Sequence, residues 1–283
     1  MVSELIRNLG RIPRRVIYTL TVIIIALPLL IPWNLPVSVE PMTKTFFDTI
    51  QSLEGTGKRI LLLCCIMPEF WGEARHEYFA VVQHIFLLRD VKLIIGPIAG
   101  PPTVGLIHQL LFEVHNPLNK TYGVDYVVLP LIPAMEPALG ALARDFRACY
   151  KTDERGTPID ELPIMKGVNT LDDFAIVIWG EPIKMSIMAA RILYPQHPKV
   201  TYLVLCNTEG WTFVAPYVGP GMPYKSALWG IRPAAEYQLL YGGPYTEAVQ
   251  YMDCLSGYHV LIIILIILGN VAAIAATKKR EGQ

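Results

Sequence analysis

Two uncharged apolar runs, one near each end, constrain this chain more than any other feature of its 283 residues. Residues 16–33 read VIYTLTVIIIALPLLIPW and residues 260–277 read VLIIILIILGNVAAIAAT. Each is about 18 residues long, the lower end of what crosses roughly 30 Å of hydrocarbon. A helix that packs one side onto a soluble core keeps a polar stripe at 3.6-residue spacing, and neither run has one. Both are therefore expected to span a membrane, as helices over 16–33 and 258–277. The first run competes with a cleavable signal peptide. It passes into IPWNLP without a small-x-small site, so a retained anchor is expected. Pro28 and Pro32 fall near its end, where a membrane helix tolerates them or stops.

The flanking charges orient both helices. Arg7, Arg11, Arg14 and Arg15 precede the first, and Lys278, Lys279 and Arg280 follow the second. Basic flanks stay in the cytoplasm, which places the tails 1–15 and 278–283 there and residues 34–257 outside. Trp33, Tyr258 and His259 sit at the outer ends, where amphipathic rings meet the headgroups. The tails hold seven of the 24 basic and two of the 24 acidic side chains, so the remainder carries a net charge of −5. That balance argues against nucleic acid as a partner, which needs a basic face.

The outer part alternates short apolar runs with helical patterns. Strands are expected at 59–66, 91–95, 126–131, 174–179 and 201–206. These runs are almost continuously hydrophobic, the mark of parallel strands covered on both faces. Helical patterns fall at 43–53, 73–88, 103–114, 136–147, 183–193, 224–240 and 245–256. The order implies an α/β fold, a Rossmann-like, doubly wound and mainly parallel sheet of five strands with one membrane helix at each end. Residues 150–173, a polar tract, and 207–223, rich in Gly, Pro and aromatics, fall outside the minimal pattern.

Ligands of such sheets bind beyond the carboxyl ends of the strands. The loops there bring Glu69 or Glu73, Gly96, Gly100, Glu136, Glu181 and Glu209. Two readings stand: an acidic crevice for a cation or amine, or carboxylates that each complement a helix N-terminus. GPIAGPP (96–102) has the place of a phosphate cradle, but it matches neither G-x-G-x-x-G nor the P-loop, and its prolines remove amide donors. Glu73 and His76 have E-x-x-H spacing without a second copy, and Glu73, Arg75, His76 and Glu77 are expected on an exposed helix face. G-x-S-x-G is absent. No metal site or cofactor is assigned. The five cysteines are odd in number and form no disulfide framework; Cys64, Cys65 and Cys206 read as buried strand residues, leaving Cys149 and Cys254 as the two placed for a bridge.

Residues 219–245 are the least ordinary stretch. Trp211, Tyr217, Tyr224, Trp229, Arg232, Tyr237, Tyr241 and Tyr245 have the composition of an interface core, or else of a covering helix packed on the sheet. In the second apolar run Gly269 and Ala273, with Ala272 and Ala276, give small-residue spacing, and Asn270 calls for a polar partner. The expected role is a membrane-anchored structural or assembly subunit that joins copies of itself or another membrane protein. The alternative is an extracytoplasmic ligand-binding or hydrolytic enzyme with its site at the strand crest.

Overall fold

The computed structural model describes residues 12–33, 35–115, 120–133, 135–180, 183–242 and 247–281. The chain divides into two units, one formed by residues 1–36 with 245–283 and the other by Val37–Pro244.

The first unit is a pair of antiparallel helices, α1 (Arg14–Leu30) and α10 (Glu247–Glu281). On α10 the less exposed positions include Cys254, Gly257, Leu261, Leu265, Leu268 and Ala272; on α1 they include Ile17, Thr21, Ile24 and Pro28. Spacings of three and four are those of a helix–helix seam. Gly257 belongs in that seam by necessity, because a Cβ there would meet the Trp33 ring at 2.7 Å. The buried Asp253 carboxylate accepts the backbone N–H of Trp33 (2.9 Å) and of Leu35 (3.1 Å), fixing the chain as it leaves α1. Away from the seam both helices expose Val, Ile and Leu throughout. Within Glu247–Ile274, an 18-residue stretch of α10 has a mean hydropathy of 2.3, and the helix is long enough to cross a membrane. The expected helix over 16–33 is shorter and earlier: α1 has 17 residues, and residues 31–33 have left the helical path. Residues 245–256 and 258–277, expected as two helices, are continuous from Glu247 onward.

The second unit is built on one parallel sheet: β1 (Arg59–Cys64), β2 (Lys92–Pro97), β3 (Tyr126–Val128), β4 (Ile176–Gly180), β5 (Thr201–Cys206) and β6 (Tyr224–Trp229). The order is β3-β2-β1-β4-β5-β6, that of a Rossmann-like doubly wound sheet. Alternate residues feed two cores. Leu61, Leu63, Ile94, Val177 and Val204 face one layer, with α5 (Glu136–Arg144), α6 (Phe146–Cys149), α7 (Ile183–Gln196) and α8 (Thr208–Val214). Ile60, Leu62, Ile95, Ile178 and Leu205 face the other, with α2 (Pro41–Gln51), α3 (Trp71–Leu87), α4 (Pro102–His115) and α9 (Ile231–Leu240). The tract 150–174 is polar outside, yet Ile159, Leu162, Ile164, Met165, Val168 and Leu171 are buried and cover the first face without a long helix.

The sheet has six strands rather than five. The sixth, β6, occupies the beginning of the stretch expected as a helix over 224–240, and the helix starts only at Ile231. The pairing explains the misreading. Tyr202 is opposite Tyr224 while Leu203 is opposite Ser226, so Lys225 is the extra residue of a β-bulge. Tyr224 and Ala227 consequently share one face at a spacing of three, a helical interval in a strand.

The body closes on itself at α2. Its N-terminus has no side-chain cap of its own. Glu236 of α9, fully buried, accepts from Glu40 N–H (2.9 Å) and Thr43 Oγ1–H (2.8 Å), and Arg232 Nε donates to its second oxygen (2.9 Å). Arg232 also pairs with Glu40 (2.9 Å). A carboxylate here satisfies otherwise orphaned donors and the positive end of the helix dipole. Replacing Glu236 with Ala leaves three donors facing a cavity, and the expected loss is about 3 kcal/mol. Glu236→Gln is expected to lose less. Denaturant unfolding of the detergent-solubilised chain measures both, and a loss below about 0.5 kcal/mol for Glu236→Ala would show that the clasp is idle.

Candidate functional site

The chain order reverses between β1 and β4, so the crest crevice of a doubly wound sheet lies beyond their carboxyl ends. Pairing of the two strands continues one step past β1, where Cys65 N–H donates to Gly180 O (3.0 Å). The loop after β1 passes through a 3-10 turn, Pro68–Phe70, into α3. Trp71 at the head of α3 is half-buried, and Trp179 in β4 is fully buried. Both indole N–H groups, and the Tyr150 hydroxyl beneath the crest, have no partner among the described residues. Burial, then the neighbouring thiols, raises the Tyr150 hydroxyl above the ordinary range, so it stays a donor.

The carboxylates of the crest are distributed. Glu69, Glu136 and Glu209 are exposed in the first turns of three different helical segments, after β1, β3 and β5. β3 and β5 are four strand positions apart, about 19 Å, so Glu136 and Glu209 do not share a site. Each carboxylate instead stands where a helix dipole favours it. Glu181 lies outside the described residues. Gly96 is not in a loop, since β2 runs on to Pro97, and it is buried against Leu63 and Tyr150. Gly100 lies in the following turn, where its carbonyl accepts from Thr103 N–H (3.0 Å).

Glu73 and Glu77 behave differently. His76 and Glu77 are buried, which overturns the exposed helix face expected for this E-x-x-H segment. Glu73 accepts from both Thr208 N–H (2.9 Å) and the Thr208 hydroxyl, and Glu77 accepts from Gly230 N–H. These two carboxylates, one turn apart, brace the turns that follow β5 and β6. Gly230 has φ of 80°, and a Cβ there would press on Thr208 Oγ1 and come within 2.6 Å of Glu73 Oε1. Trp211 and Trp229 stack above this brace, 4.1 Å between centroids and 10° between planes.

The aromatic stretch is mainly internal packing. Tyr224 is buried with its hydroxyl donating to Ser186 O (2.7 Å), and Tyr237 is buried against Phe46 and Phe47. Tyr241 donates to Gln83 (2.7 Å), Arg191 donates to the Tyr217 hydroxyl (2.7 Å), and Arg232 serves the clasp. Trp211, Trp229 and Tyr217 are half-buried, and Tyr245 lies outside the described residues. Gly269, Asn270 and Ala273 face outward on α10, away from its seam with α1.

Two further groups of titratable residues belong to no sequence motif. His108 meets the largely covered Glu154 at 2.9 Å, where burial raises the Glu154 carboxyl against the opposing pull of His108. His84 is buried and held between the Phe47 ring (4.4 Å) and the Tyr241 ring (5.6 Å). Its Nε2 faces Gln51 Oε1 at 2.9 Å and its Nδ1 faces the Tyr237 hydroxyl at 2.7 Å. This network assigns the ring hydrogen to Nε2, with Tyr237 donating to Nδ1. Nothing in an isolated histidine on a helix signals such a cage. All five cysteines are free thiols, and burial pushes Cys64 far up, keeping it protonated and unreactive. Among the described residues no group of three His, Cys, Asp or Glu is placed to hold a metal ion.

Comparison of the chain with models of protein families, with curated proteins and with solved structures found no match.

Two outcomes follow for this region. Gly230→Ala is expected to cost at least about 2 kcal/mol, because the positive φ and the blocked space both oppose a side chain. Thermal unfolding checks it, and a stability equal to wild type would refute the brace. Burial lowers the His84 pKa from 6.5 to about 4, so the unfolded chain binds a proton that the folded one refuses. Stability from this group is complete above pH 6.5 and falls on acidification toward pH 4, by on the order of 3 kcal/mol. Unfolding at a series of pH values should show that fall flattened in His84→Gln.

Proposed function

We propose that this chain is a membrane-anchored assembly subunit, held by α1 and α10 as a transmembrane hairpin and joined laterally to a second copy of itself or to another membrane protein. The Rossmann-like body is then extracytoplasmic and both termini are cytoplasmic. The basic clusters outside both apolar runs support that orientation. The exposed Val, Ile and Leu around both helices support lipid as their surroundings.

One observation carries the assembly reading: Asn270 faces away from the α1 seam, without a partner among the described residues, in a stretch of α10, Val260–Ile274, that is otherwise apolar. It lies about 15 Å along the helix from Val260, near the middle of the hydrocarbon. A carboxamide there gains by hydrogen bonding across to another helix. Gly269 and Ala273, four residues apart beside it, allow a backbone to approach closely.

Native mass measurement after gentle solubilisation is the test. The chain is expected in a complex larger than one copy, and Asn270→Leu is expected to shift it at least severalfold toward the single chain. A strictly monomeric wild-type particle with no partner would end this reading. Protease treatment of sealed vesicles checks the topology separately: tags on the two termini are expected to share one side and residues 37–244 the other.

The strand order favours a second reading, a ligand site at the β1/β4 crest, where the N–H groups of Trp71 and Trp179 have no partner among the described residues. Its mark would be a bound small molecule that quenches these indoles.

A further inference from the structure

The opposite edge of the sheet carries a cleft of a different character. Two adjoining hollows of about 520 and 580 Å³ open at the amino ends of β1, β4, β5 and β6, within the range of small-ligand sites. They share Lys199, Thr201 and Lys225, and Lys58 joins them in the first hollow. All three lysines are exposed, and none forms an ion pair among the described residues.

The acids in the same cleft are already engaged. Asp173 accepts the N–H groups of Asn169 and Thr170, each at 2.8 Å, in a capping box. Asp172 faces His197 Nδ1 at 3.0 Å. With Arg59, the cleft therefore holds four cationic side chains against these two carboxylates, a local excess of positive charge on a body whose net charge is negative. Lys225 is there because of the bulge. As the extra residue between the Tyr202–Tyr224 and Leu203–Ser226 pairs, it escapes the alternation that would bury it and turns out at the strand start. Bulges are used beside sites to re-aim one side chain in this way.

We propose that this cleft binds a small, multiply charged anion of the phosphate-ester class through Lys58, Lys199 and Lys225. The span from β1 to β6 is about 14 Å, so ligands with two separated anionic groups fit better than a single small ion. Lysine ammoniums bind phosphate oxygens as point charges, without the planar fork that arginine brings to carboxylates and phosphates alike. The arginine of the cleft is otherwise employed: Arg59 donates to the Ile164 and Lys166 carbonyls at 2.7 Å each. The site is separate from the crest and from the membrane hairpin's outer face, so its failure leaves the proposed assembly role untouched.

Calorimetric titration of the full chain in neutral detergent with inorganic pyrophosphate tests it. Saturable binding is expected, weakened at least about tenfold in Lys58→Gln/Lys199→Gln/Lys225→Gln and unchanged in Lys184→Gln, a lysine outside the cleft. The corresponding triple Lys→Arg variant keeps the charge and is expected to keep affinity within a few fold, which separates charge loss from misfolding. Competition by short-chain phosphatidic acid marks a lipid headgroup as the source of the phosphate, and competition by a soluble sugar bisphosphate marks a free ester. Absence of saturable binding, equal affinity in the triple Gln variant, or failure of both competitors would overturn the proposal.

Discussion

The globular body depends on a buried carboxylate that closes it. Its chain begins just before α2 and ends just after α9, and neither helix lies between two strands of the sheet. Glu236 makes one structure of them by meeting the N-terminal donors of α2, with Arg232 binding it from the other side. Ser226 adds a second tie, donating from β6 to Met42 O at 2.7 Å. With α2 fixed, the outer face of β5 and β6 has its cover, and Phe46, Ile50 and Leu53 enter the core shared with Ile60 and Leu228. An ionised side chain is tolerated in this interior because each of its contacts is a charge-assisted hydrogen bond.

Polar groups at the two ends of the sheet are put to opposite uses. At the crest the carboxylates of Glu73 and Glu77 are consumed in bracing the turns after β5 and β6, while the indole N–H groups of Trp71 and Trp179 and the Tyr150 hydroxyl have no partner among the described residues. At the amino edge the carboxylates of Asp172 and Asp173 are engaged by their own neighbourhood, and Lys58, Lys199 and Lys225 form no ion pair among the described residues. Charge that is counted in the sequence is thus a poor guide to charge available for binding. The free fraction is decided by local hydrogen bonds.

Much of the fold was legible in the sequence because burial on both faces leaves a continuous apolar run. RILLLC and TYLVLC read as strands for that reason and are strands. YKSALW did not, because one bulged lysine converted its period of two into a spacing of three. The candidate site was less legible. Glu69, Glu136 and Glu209 were correctly seen near helix starts, but sequence order gives no distance between β3 and β5, and only the strand order separates them. His84 and Glu77 left no local signal, since their partners stand more than thirty residues away; Glu236 has Arg232 four residues before it, but the donors it caps are nearly two hundred residues away. The aromatics of 219–245 have a composition shared by interfaces and interiors; burial assigns Tyr224 and Tyr237 to the interior.

The stack of Trp211 on Trp229 gives the molecule an optical property of its own. Two indoles with near-parallel planes at 4.1 Å have coupled electronic transitions, so their circular dichroism is that of a pair. Trp211 stands in α8, just after β5, and Trp229 is the last residue of β6; Glu73 and Glu77 tie the adjoining residues Thr208 and Gly230 to α3. The couplet therefore reports the alignment of the carboxyl ends of two neighbouring strands, and its disappearance would register their separation.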